Sequence, residues 1–169
     1  MKLRYQILTG ILLALIQGVF LNFFGDGKVL PNIILVIAIV GIFLENDIQK
    51  WLVITWIPAI LRDISLSAYV GCGAISLLLT IWVIYLLSRW ISNENIIGIF
   101  IEIVLGTALY NSFYWIISAL FGSTYSYLYA LNYWIYQLPL NILFGLVFYY
   151  FLGKRAKEKR KKERFRYYL

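Results

Sequence analysis

Pro31-Asn32-Ile33-Ile34-Leu35-Val36-Ile37-Ala38-Ile39-Val40-Gly41-Ile42-Phe43-Leu44 runs for fourteen positions without a charge. Its proline stands at the front, where the first turn of a helix does not need the missing N–H. The run stops at Glu45-Asn46-Asp47 and Gln49-Lys50, and Trp51 opens another apolar run. The rest of the chain repeats this alternation of long apolar stretches with short polar breaks. Hydrophobic residues make up 62% of the 169, against about 45–50% in a soluble domain, and charged residues only 14%. A soluble domain of this size has no interior large enough for that much apolar surface. The composition therefore reads as an all-α integral membrane protein.

A spanning helix takes about 20 residues, so the length accommodates about six spans and one tail. The expected spans are about 5–24, 31–44, 51–66, 73–90, 96–121 and 138–153, forming one six-helix transmembrane domain over 1–153. Residues 122–136, crowded with tyrosine, are expected at the membrane surface. Residues 154–169 form a basic tail. The N-terminal apolar stretch lacks a small-residue cleavage site and reads as a retained first span.

Orientation follows from the rule that Lys and Arg stay on the cytoplasmic side. With six spans and both termini cytoplasmic, thirteen of the fifteen basic residues lie inside, and only Lys28 and Arg62 lie outside. The tail holds nine of them (Lys154, Arg155, Lys157, Lys159, Arg160, Lys161, Lys162, Arg164 and Arg166) and two acids, which accounts for the net charge of +7. Its i,i+4 acid–base pairs favour a helix continuing from the last span. The charge suits anionic lipid or a cytoplasmic partner better than nucleic acid.

Several chemistries are excluded. The chain has no histidine and a single cysteine, Cys72. Imidazole catalysis, His-ligated metals and an internal disulfide are therefore ruled out. No phosphate-cradling loop, metal cluster or paired catalytic carboxylates occur, so a non-enzyme without cofactor or metal is expected.

In lipid, small residues and inter-helix hydrogen bonds hold helices together. Gly10, Ala14 and Gly18, with Gln17 beside them, form a stripe suited to a partner helix. Gly73, Ser76 and Thr80, and likewise Gln137, Asn141 and Gly145, suit packing inside the bundle. Ionisable groups at membrane depth call for an explanation. Glu102 lies between Gly98 and Gly106 and reads either as snorkelling to cytoplasmic water or as an anchor or proton-linked site. Asn111, half a turn round from it, would make the fifth span polar on two faces and central. Arg62 and Asp63, as sequence neighbours, are expected to point apart at the outer interface, Asp63 capping the break before Ser65-Leu66-Ser67.

Along nearly its whole length the chain resembles the MreD family of bacterial rod shape-determining proteins. The resemblance is carried by Pro31-Asn32 and the apolar run after it, by Ala59-Ile60-Leu61-Arg62-Asp63 with its aspartate, by Ser67 and Gly71, by Leu138-Pro139-Leu140-Asn141-Ile142-Leu143, and by the basic C-terminus. One departure is Tyr110-Asn111, where family members often carry a glutamate. The resemblance implies a bundle like the substrate-binding components of energy-coupling-factor transporters. It also implies a non-catalytic scaffold of the elongation complex in the bacterial cytoplasmic membrane. Such a scaffold binds the transmembrane helix of MreC near MreB and the RodA–penicillin-binding-protein synthase. Two other readings stay open. One is a vitamin- or metal-binding transporter component whose outward pocket is lined by Arg62, Asp63 and the tyrosines of 122–136. The other is a small ion-coupled carrier using Glu102.

Overall fold

A computed structural model describes residues 30–67, 69–90 and 96–167, apart from the side chains of 65, 66 and 155–167, together with the isolated helical positions Leu8, Ile11, Leu12 and Leu15. The architecture is all-helical, with no strand among the described residues. The helices are α1 (Ile33–Glu45), α2 (Ile48–Leu66), α3 (Cys72–Ser88), α4 (Ile96–Leu120) and α5 (Tyr127–Tyr167).

Helix α1 is apolar on every side, and a helix of that kind has no face to offer water. It lies at the centre: every residue from Ile33 to Leu44 is buried, and α1 touches all four other helices. Helices α2, α3, α4 and α5 surround it in chain order, each packed on the next. Among the described residues the ring stays open between α5 and α2. The fifth expected span, α4, is thus not the central one. Its Ile97, Phe100, Ile101 and Leu105 face outward, so it packs in the wall.

Short polar residues set the joints. Asn32 caps α1 by accepting from the Leu35 N–H at 3.2 Å, and Asn46 closes it in the left-handed conformation (φ 51°). Asp47 caps α2 in turn, accepting from the Lys50 N–H. Glu45 accepts from both the Lys50 ammonium and, at 3.2 Å, the Trp51 indole N–H. That indole lies flat against Gly41, occupying the space a Cβ would need. Gly122 (φ 92°) ends α4 in a paired arrangement, its N–H on Ala119 and the Ser123 N–H on Ser118.

The last helix differs from expectation. It begins at Tyr127, not near Leu138, and carries Pro139 inside it. Proline withholds one N–H from the ladder but does not end the helix; Gly122 and the turn to Ser126 supply the break instead. The segment 127–136, expected at the membrane surface, forms the first turns of α5, and the helical backbone runs on into the basic tail to Tyr167.

Packing places small residues where helices approach. A Cβ on Gly106 would strike the Ile39 side chain, and one on Gly145 would strike that of Ile103. The stripes Gly73/Ser76/Thr80 and Gln137/Asn141/Gly145 both face inward. Ser76, Thr80 and Thr107 return their hydroxyls to the carbonyl four residues back, as polar groups do where water is excluded. Large apolar side chains such as Ile64, Trp82, Leu120 and Phe151 face outward. Among the described residues two helical stretches, Ile96–Leu120 and Tyr127–Lys154, are long and apolar enough to cross a bilayer.

Candidate functional site

One end of the bundle holds a cavity of about 330 Å³. It lies between the C-terminal end of α2, the middle of α4, the first turns of α5 and the residues just before α1. Each element contributes polar groups at a fixed height, because the helices carrying them are locked by the apolar core below.

Helix α2 supplies Arg62, Asp63 and, just past its end, Ser67. The Asp63 carboxylate is 1% exposed. One of its oxygens accepts from Arg62 Nη2 at 3.2 Å, and the other accepts from the Ala74 backbone N–H at 2.8 Å. Asp63 therefore caps α3, where the orphan N–H groups and the helix dipole favour an anion. It does not cap the break before Ser65-Leu66-Ser67, where the Ser67 N–H is taken by its backbone carbonyl. The expectation that Arg62 and Asp63 point apart also fails. The arginine stem is long enough to bring Nη2 back to its neighbour, and the pair is folded inward. Gly73 makes room for it, since a Cβ there would collide with both the guanidinium and the carboxylate.

Helix α4 supplies Tyr110, Tyr114 and Asn111. Arg62 Nη2 also donates to the Tyr110 hydroxyl, and its guanidinium carbon lies 5.7 Å from the centre of that ring. Tyr110 and Tyr114 stack one helical turn apart, and the Tyr114 hydroxyl is 3.3 Å from Ser67 Oγ. The loop adds Tyr125, whose hydroxyl meets Ser118 Oγ at 2.8 Å and is pushed above its ordinary pKa by burial. Its carbonyl accepts from the Trp115 indole at 3.1 Å. Tyr129 and Tyr133 complete the aromatic wall from α5.

A second group of polar side chains forms the floor. Gln137 donates to the Leu30 carbonyl at 3.0 Å and accepts from Asn111 at 3.0 Å. Asn141, fully buried, accepts from the Asn32 backbone N–H at 2.8 Å and donates to Thr107 Oγ at 3.1 Å. Two of these bonds, Gln137 to Leu30 and Asn32 to Asn141, join residues more than 100 positions apart, and the network ties the start of α1 to α4 and α5. Every amide in the network has a partner, which is what burial in a low-dielectric interior demands.

Of the polar residues singled out in the sequence, Arg62, Asp63, Asn111 and Gln137 line one cavity, and Asn141 lies one turn below it. Glu102 does not join them. It is eight residues before Tyr110 on α4, about 12 Å along the helix. It is fully buried and accepts from Ser88 Oγ at 2.7 Å, and its Oε2 has no hydrogen-bond partner. It does not snorkel to water. Lys154 is exposed, and the helical backbone continues past it. The side chains from Arg155 to Arg166 fall outside the described residues, as do Gly10, Ala14, Gln17 and Gly18. Tyr110 and Thr107 were missed. The one signal for Tyr110 was the departure at Tyr110-Asn111, where a phenol now accepts from Arg62.

The hydrogen-bonding groups of the wall are a guanidinium, tyrosine and serine hydroxyls and side-chain amides. Both oxygens of the cavity's one carboxylate are already engaged, and no side chain in the wall combines a nucleophile with a base. No family model matches the chain, and no curated protein or solved structure matches it either.

Proposed function

We propose that this chain is a non-catalytic scaffold of the bacterial cytoplasmic membrane, of the MreD type. It spans the membrane six times with both termini in the cytoplasm and binds the transmembrane helix of MreC. Through that contact it helps control cell shape and lateral peptidoglycan synthesis, beside MreB and the RodA–penicillin-binding-protein synthase. The basic tail holds anionic lipid or a cytoplasmic partner. The outward apolar side chains and inward amides support the multi-pass reading.

One observation carries the proposal. The residues behind the resemblance (Asn32, Asp63, Ser67 and Asn141) are scattered over the sequence, yet they meet around one end of the bundle. That shared location is what supports the reading. Cross-linking in the native membrane, followed by pull-down and identification of what accompanies the protein, tests the reading. MreC or the RodA synthase is the expected partner, and Gly10→Leu with Gly18→Leu is expected to reduce its recovery. Unchanged recovery would remove the first span as the dock. Recovery of a transporter ATPase pair would sink the scaffold altogether.

The cavity favours a second reading, the substrate-binding component of an energy-coupling-factor transporter, because Arg62, Asp63 and the α5 tyrosines line one space.

A further inference from the structure

We propose that the cavity between α2, α4 and α5 is a binding site for a small organic anion, a carboxylate or phosphate carried on a flat ring. The inference concerns occupancy and holds whether the chain serves as a scaffold or a carrier.

Charge decides the sign of the ligand. Arg62 and Asp63 are the charged residues in the cavity wall. Asp63 is sealed, 1% exposed, with one oxygen bonded to Arg62 and the other to the α3 N-terminus, so it is screened from a cation or an amine in the cavity. Arg62 is in the opposite position. Within the described residues both of its hydrogen bonds leave from Nη2. The side chain keeps 17% of its surface exposed. The guanidinium is thus held from one nitrogen, and its other N–H groups remain to meet an oxyanion, for which a planar fork is the preferred donor.

Shape and lining decide the rest of the ligand. The volume is at the low end of those that hold small molecules. Tyr114, Tyr129 and Tyr133 bring aromatic rings and hydroxyls to the lining, suited to a ring bearing polar substituents. Gln137 and Asn111 are tied to each other and to backbone carbonyls, so the floor is rigid before any ligand arrives. A preorganised wall loses little freedom on binding.

The oxyanion has two sources, a soluble acid or the headgroup of a membrane lipid. The test is calorimetric titration of the purified full-length chain in phosphatidylcholine nanodiscs with phenyl phosphate and with benzoate, and with benzylamine as the cationic counterpart. Saturable binding of an acid, and none of benzylamine, is expected. Arg62→Gln should weaken binding about tenfold or more, the scale of a lost charged hydrogen bond. Tyr129→Ala, at a largely exposed ring, should weaken it severalfold and serves if Arg62→Gln does not fold. Repeating the titration with phosphatidylglycerol in the disc separates the sources: competition points to a lipid headgroup, and unchanged affinity to a soluble acid. Absence of saturable binding by both acids, equal binding of benzylamine, or undiminished binding in whichever variant folds would overturn the proposal.

Discussion

Replacing Asp63 with alanine removes two interactions at once. The first is the cap on α3, where Asp63 accepts from the Ala74 N–H at 2.8 Å; losing such a cap costs about 0.5–2 kcal/mol. The second is the partner of Arg62. Stranding one member of a fully buried pair costs about 3–5 kcal/mol, but Arg62 keeps 17% of its side-chain surface exposed and still donates to Tyr110. A discounted cost of about 1–2 kcal/mol is therefore appropriate for it. Together these give a destabilisation of about 1.5–4 kcal/mol. Arg62→Met alone strands the sealed carboxylate and should cost about the same. The double variant strands neither charge, so it should be about 1–3 kcal/mol more stable than the sum of the single effects predicts. Unfolding in mixed micelles, followed by tryptophan fluorescence, measures all four proteins. Additivity within about 0.5 kcal/mol would show that the pair is not energetically coupled, and the account of this end of the bundle would fall with it.

Two further perturbations test the packing. Gly41→Ala drives a methyl group into the Trp51 indole and should cost about 1–3 kcal/mol; adding Trp51→Leu should restore most of the loss, and failure of that rescue would separate the two residues. Asn141→Leu removes the acceptor of the Asn32 N–H and the donor to Thr107. It should destabilise by about 1–3 kcal/mol and raise amide exchange at Asn32; exchange equal to the parent protein's would mean that this bond contributes nothing to holding the start of α1.

How much of this could be read in advance depended on the range of the interaction. The helices between polar breaks were legible from local pattern, within a few residues, at 31–44, 51–66, 73–90 and 96–121. Pro139 misled because proline marks helix starts more often than interiors, and no local signal shows that a ladder survives the loss of one N–H. Centrality was misassigned for a related reason. The polar residues of α4 drew attention, yet uninterrupted apolarity on all sides is the stronger demand for the middle of a bundle, and α1 has it. The Arg62–Asp63 pair was misjudged because helical geometry fixes where a Cβ points, not where a long arginine stem can return.

The residue pattern by itself determined the all-helical class, because apolar stretches with polar breaks make helices whatever their arrangement. It also selected most of the polar side chains that matter, because a charge or amide in an apolar run costs too much to be incidental. Only the tertiary structure decided which of them belong together. Helices of similar hydrophobicity can be ordered around one another in many ways with nearly equal burial. The choice rests on where a glycine admits a neighbour and where an amide finds its partner. Asn32 and Asn141 meet across 109 positions, and Arg62 finds Tyr110 across 48. Pairings at that separation leave no periodic trace in a single sequence, and they are what closes the cavity and gives it a charge.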